Sequence, residues 1–162
     1  MKKIEINKNS GITLLALVIT IVVLLIIASV ATYSGISTIK NAKYTEFVTE
    51  LKIMQTHVNK WYEELKGKEG NFEDNIRAKF QAVSVSDVTQ LTGNTKEQAE
   101  NVLSSEKVGV EAGNYNKYYY LEVDQIKELG IEGVSQDVLV SIENRKVVSY
   151  AGLTFENKTY IS

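Results

Sequence analysis

The sequence predicts an α+β protein: a long N-terminal α-helix, with a transmembrane half and an amphipathic half, packed on a small C-terminal antiparallel sheet. Three observations predict it. Residues 12–31, ITLLALVITIVVLLIIASVA, contain no charge, Pro or Gly. Farther along, Phe47, Leu51, Met54, Val58, Trp61 and Leu65 recur at spacings of 4, 3, 4, 3 and 4, the period of one helix face. The last third then alternates aromatic and β-branched runs with short polar turns, as hairpins do.

The apolar run is the organising element. Twenty residues at about 1.5 Å each give roughly 30 Å, the thickness of a hydrocarbon core. Lipid offers no water to backbone amides, so such a segment must be helical. Its only polar side chains, Thr13, Thr20 and Ser29, can bond back to carbonyls one turn earlier. No charge occurs between Ser10 and Ile39. Ser34 and Gly35 are a soft spot, since Gly costs about 1 kcal/mol in a helix relative to Ala.

Two readings of this segment need only general rules. One is a secretory signal peptide, with Lys2, Lys3 and Lys8 as its basic head and a small-residue cut after Ser29-Val30-Ala31. The run is longer than the usual apolar region, and helical patterning continues past the cut. The other is an uncut signal anchor. Lysines before the run favour a cytoplasmic N-terminus, although Lys40, Lys43 and Lys52 reduce the asymmetry.

Beyond the run, the apolar stripe faces away from Lys43, Glu46, Glu50, Lys52, Asn59, Lys60, Glu63 and Glu64, which should be solvated. Lys66-Gly67 reads as a helix end, with Gly67 at the left-handed position. A helix over residues 12–66 would be roughly 80 Å long, so half belongs to lipid or other helices and half to a domain.

Residues 67–114 are polar and irregular. A short helix is expected over 72–80 and another over 86–91. Asn94 and Glu97 have capping-box spacing for a helix over 95–103. The C-terminal third should hold a strand over 118–123, then a helix capped by Asp124 and stopped by Gly130. Residues 138–142 form a strand with Val138, Val140 and Ile142 on one face. A turn at 143–146, with Asn144 accepting positive φ, returns as 147–150. A second hairpin follows over 154–161.

Composition narrows the function classes. The formal net charge is −2, and there is no Cys and no Pro. Without Cys there are no disulfides, zinc-thiolate sites or thiol nucleophiles. A mildly acidic chain lacks the basic footprint of a nucleic-acid binder. His57 is the only His, so no Ser/His/Asp set is available, and a lone helical His is more often surface or packing than catalytic. Glu63-Glu64 and Glu73-Asp74 are carboxylate pairs, but neither has the alternating oxygen ligands of a calcium loop. Tyr115 and Tyr118-Tyr119-Tyr120 can be read as a sugar-binding or adhesive patch; strand packing is the better default. Asn157-Lys158-Thr159 matches a glycosylation sequon, a motif with a high false-positive rate. No enzyme, cofactor or metal is expected.

The leader MKKIEINKNSG ends in Gly11, directly followed by Ile12-Thr13-Leu14-Leu15 and the apolar run. This resembles the class III, prepilin-type leader of type IV pilins and pseudopilins. The resemblance implies a cut between Gly11 and Ile12 by a prepilin peptidase, with methylation of the new amine on Ile12. Removing the leader leaves 15 basic and 19 acidic residues, net −4. The family usually carries Glu as the fifth residue after the cut; Ala16 stands there. Gram-positive variants with a GITLIALVITI-like start are similar to this chain and also lack that Glu. The family's usual Pro in the helix is absent too.

The resemblance implies a leader over 1–11, a transmembrane and assembly helix over 12–35 and an extracellular domain over 36–162. Within that domain lie the amphipathic helix 36–66, a variable filament-surface region 67–114, where any surface function would sit, and the sheet 115–161. It further implies a structural subunit of a pilus or a related secretion or DNA-uptake filament. Such a subunit is a single-pass protein of the cytoplasmic membrane before assembly and sits in a cell-surface filament afterwards. Its partners are the prepilin peptidase, membrane lipid and other pilin subunits, in homo- or hetero-oligomers; no nucleic acid is bound directly. Ala28, Ser29 and Ala31 would permit close helix approach. The competing class is a single-pass anchored extracellular binding module that does not polymerise.

Overall fold

The computed structural model describes residues 8–156 and 158–162, and their side chains except at 8–13, 15 and 30–34. Helix α1 runs Lys8–Lys66 and is shared between two compact units, the chain up to Lys43 and Tyr44–Ser162. The first unit is helical from Lys8 through Lys43, Gly35 included. The protein is α+β, with a long helix and a small antiparallel sheet as expected.

In the second unit, Phe47, Met54, Val58, Trp61 and Leu65 are buried and Leu51 is half-buried. The predicted stripe is therefore the buried face. One residue on the opposite side departs from expectation: Glu50 is only 6% exposed. Its Oε1 accepts from Ser135 Oγ at 2.6 Å and its Oε2 from Gln136 Nε2 at 2.9 Å. A loop folded over the helix supplies both donors, and local periodicity contains no trace of that loop. Helix α1 ends at Lys66 as read, but Gly67 is not the left-handed residue. Its N–H closes onto Glu63 C=O at 3.2 Å, and the positive φ falls at Gly70 (101°).

Helix α2, Phe72–Gln81, is capped by Asn71, whose Oδ1 accepts from Glu73 N–H at 2.8 Å. The segment expected as a helix over 86–91 is one 3₁₀ turn, Val88–Gln90, capped by Asp87. Helix α3 spans Gly93–Ser104. The Asn94 capping box does not form, because the helix starts one residue before Asn94 and no side chain caps its first turn. A 3₁₀ turn, Ala112–Lys117, leads into strand β1, Tyr119–Leu121. That strand is shorter than expected because Val123 already opens helix α4, Val123–Glu128. Asp124 does not cap α4. Glu122 occupies the cap position, its N–H bonded to Gln125 Oε1 at 3.0 Å, and Asp137 Oδ1 takes Val123 N–H at 3.0 Å. Gly130 stops α4 with φ 77°.

Strands β2, Val138–Ser141, and β3, Lys146–Ser149, complete an antiparallel sheet in the order β1-β2-β3. The register sets Tyr119 against Val140 and Val140 against Val147. The positive φ of the β2–β3 turn falls on Arg145 (49°), not Asn144. Gln55 of α1 holds that residue by donating to Arg145 C=O at 2.9 Å, and the guanidinium lies 4.6 Å over the Tyr62 ring. Tertiary contacts thus outweigh the local preference of Asn. Strands β4, Leu153–Phe155, and β5, Lys158–Tyr160, form the second hairpin as a separate two-stranded sheet.

The three-stranded sheet is buried on both faces, which explains the nearly unbroken apolar runs of β2 and β3. One face, with Tyr119, Leu121, Val138, Val140 and Val147, packs with α1, α2 and α4 through Met54, Trp61, Phe80 and Ile126. The other, with Tyr120, Leu139 and Val148, packs on Val88, Ala99, Leu103, Val108 and Ile161. Residues 67–114, read as a polar region with short helices, supply α2 and α3, and they also bury Ile76, Phe80, Val85, Val88, Ala99, Leu103 and Val108.

Phe80 is fully buried between Trp61, at 6.0 Å edge-on, and Tyr119, at 4.4 Å. Phe80→Ala is expected to cost about 3–5 kcal/mol. The check is urea unfolding followed by the fluorescence of Trp61, the only Trp; an unchanged midpoint would contradict the packing of Phe80.

The exposed apolar helix as candidate functional site

Apolar surface, rather than a cluster of reactive groups, sets this protein apart. In the first unit Leu14 and every large apolar side chain from Leu17 to Ile27 stand 46–66% exposed, as do Ile36 and Ile39. They surround the helix on all sides, whereas a helix packed on one core exposes a polar face. The run's described hydroxyls are satisfied within the helix. Thr20 Oγ1 donates to Leu17 C=O and Ser29 Oγ to Ile26 C=O, each at 2.8 Å, the back-bonding expected from the sequence. The helix therefore offers a medium or partner little besides hydrocarbon.

Gly11 and Ile12 fall within the helical backbone of α1. Their side chains, and all of Met1 to Asn7, lie outside the described residues, so the leader is a matter of sequence. Among the described residues no helix is long and apolar enough to cross a membrane. Within the run, the side chains described are those of 14 and 16–29, fewer than the roughly 20 residues a span requires. The full run, 12–31, extends beyond it at both ends.

The other candidate residues resolve into packing and capping. His57 is half-buried, its ring tilted against Trp61 at 6.2 Å. Glu63 lies 3.8 Å from Arg145 and Glu64 3.7 Å from Lys60. Glu73 and Asp74 occupy the first turn of α2, where negative charge suits the helix dipole. Among the described residues no group of three or more His, Cys, Asp or Glu is arranged to hold a metal ion. A cleft between Arg77, Lys117, Glu73, Glu143 and Tyr119 has a volume of about 30 Å³, room for a water. In it Lys117 Nζ donates to Glu143 Oε1 at 2.9 Å, which raises the Lys117 pKa.

Tyr115, Tyr118, Tyr119 and Tyr120 are all buried, so they do not form an adhesive patch. Three half-exposed aromatics, Tyr44, Phe155 and Tyr160, are grouped where α1 meets the β4–β5 hairpin. Sequence reasoning missed this group because Tyr44 lies more than 100 residues before the other two. Burial raises the pKa of Tyr118, Tyr119 and Tyr120, and for Tyr120 a 2.7 Å hydrogen bond to Asp137 adds to it.

Comparison with protein-family models, with curated proteins and with solved structures gave no match.

The raised tyrosines set an alkaline limit on stability. Their folded pKa values lie above the ordinary 10.0, so the folded state holds these protons more tightly than the unfolded chain. Their contribution is complete below about pH 10 and is lost as pH climbs from there through the raised values. Phenolate absorbance should lag in the folded protein relative to the urea-unfolded chain, and the urea midpoint should fall above about pH 10. Coincident folded and unfolded titrations would refute the burial of this cluster.

Proposed function

We propose that this chain is a structural subunit, pilin-like or pseudopilin, of a type IV pilus or a related secretion or DNA-uptake filament, and not an enzyme. The observation that carries this reading is the junction within α1. One continuous helix is apolar and exposed through its first unit and then buries a single stripe beneath a sheet in its second. A subunit that resides in a bilayer and later joins a bundle of like helices needs this division. Its first half must suit either apolar surrounding, and its second half must carry a folded domain. The leader residues Lys2, Lys3, Lys8 and Gly11 and the start at Ile12 support the reading independently of the fold.

In this reading the prepilin peptidase cuts after Gly11 and Ile12 receives the methyl group. Residues 12–31 hold the protein in the cytoplasmic membrane with Tyr44–Ser162 outside. Assembly transfers the helix from lipid to the helices of other subunits. Ala16 supplies no carboxylate for a neighbouring amine. Transfer between lipid and protein gains little from hydrophobicity alone, so close packing at small residues such as Ala28 favours association.

Intact mass and N-terminal sequencing of the protein from its native host test the reading. The expected product starts at Ile12 and carries one added methyl group. An unprocessed Met1 would instead mark an anchored binding module, and a start at Thr32 a secreted domain. Replacing residues 12–31 with an unrelated apolar span should also abolish filament incorporation while leaving membrane insertion intact.

A further inference from the structure

The β4–β5 hairpin has no buried side chain in either strand. A two-stranded hairpin is marginal in water by itself, so its order must come from its fastenings. Two of these lead to α1. The Tyr44 ring stacks on Phe155, next to the turn, at 4.9 Å and meets Tyr160, at the base, edge-on at 5.0 Å. At the base, Gly152 N–H donates to Ser149 Oγ at 2.9 Å, and Ser149 Oγ donates to Gln136 Oε1 at 2.6 Å. Gln136 Nε2 then donates to Glu50 Oε2 at 2.9 Å. A backbone N–H can only donate and a carboxylate can only accept, so the hydroxyl and amide between them are held in one orientation. The buried Glu50 thus sets the position of Gly152 through three hydrogen bonds. Other fastenings lie on the sheet side: Ser149 N–H to Ile161 C=O at 2.6 Å, Lys107 Nζ to the Thr159 carbonyl, and the Ile161 side chain buried in the second core just after β5.

Alongside the hairpin runs a groove lined by Tyr44, Phe47, Leu51, Gln55, Val147 and Tyr160. Ser149 directs its amide away from β2 to reach Ile161, so Val147, two residues earlier on β3, directs its backbone to the same edge. We infer that the β4–β5 hairpin is a strap fastened to α1 through Tyr44 and the Glu50–Gln136–Ser149 chain, and that releasing either fastening opens it and removes the Tyr160 wall of the α1–β3 groove. The strap does not depend on the filament reading.

Hydrogen–deuterium exchange of the full chain in detergent micelles tests this. Tyr44→Ala should speed exchange at residues 153–160 by about tenfold or more, with β1–β3 unchanged. Tyr44→Phe keeps the stack and should behave as the wild type. Ser149→Ala, which breaks the chain without stranding the buried carboxylate, should reproduce the selective loss at the hairpin. Unchanged exchange at 153–160 in Tyr44→Ala and Ser149→Ala would overturn the strap. So would equal acceleration in β1–β3, since the hairpin would then open only when the whole unit unfolds.

Discussion

The packing of Met54, Val58, Trp61 and Leu65 beneath the sheet is the constraint from which the second unit is built. These four side chains are at most 4% exposed, and α2, α4 and one face of β1-β2-β3 are arranged over them. A helix of this kind draws most of its stability from such an apolar face rather than from intrinsic propensity. The stripe also fixes the rotation of α1 about its own axis. That rotation brings Gln55 and Tyr62 to the β2–β3 turn, Glu50 beneath the loop at Ser135, and Tyr44 to the second hairpin.

The sheet is too small to form a core with α1 alone. Three strands of three or four residues have two faces, and both are covered. Residues 67–114 provide the second cover, which accounts for Val88, Leu103 and Val108 in an otherwise polar stretch. There is no disulfide to close these loops. Hydrogen bonds from lysine to distant carbonyls span some of the same gaps: Lys96 to Thr89 at 3.2 Å and Lys146 to Val108 at 3.0 Å.

The first unit obeys a different rule. Its described large apolar side chains are exposed on every side, and the Thr20 and Ser29 hydroxyls are turned back on the helix. In water such a surface is costly, at about 25 cal/mol per Å². Under the proposed function, lipid and then the helices of other subunits would remove that cost.

The sequence alone determined the features set by periodicity and local chemistry. The apolar run, the stripe from Phe47 to Leu65, the alternation of Val138, Val140 and Ile142, the stop at Gly130 and both hairpins could be read because each depends on neighbours a few residues away. The resemblance to a leader at Gly11 and Ile12 likewise rests on sequence alone. Tertiary structure alone decided which polar and aromatic groups were enclosed. Glu50 lies on the polar side of its helix and is buried because Ser135 and Gln136, more than 80 residues later, close over it. The tyrosines at 118–120 are core because α1 and α3 cover opposite faces of one strand. Arg145 rather than Asn144 takes the left-handed turn position, and Gln55 and Tyr62 hold it there. In each case the deciding partner is remote in the chain, and local patterns carry no information about a partner that only folding brings near.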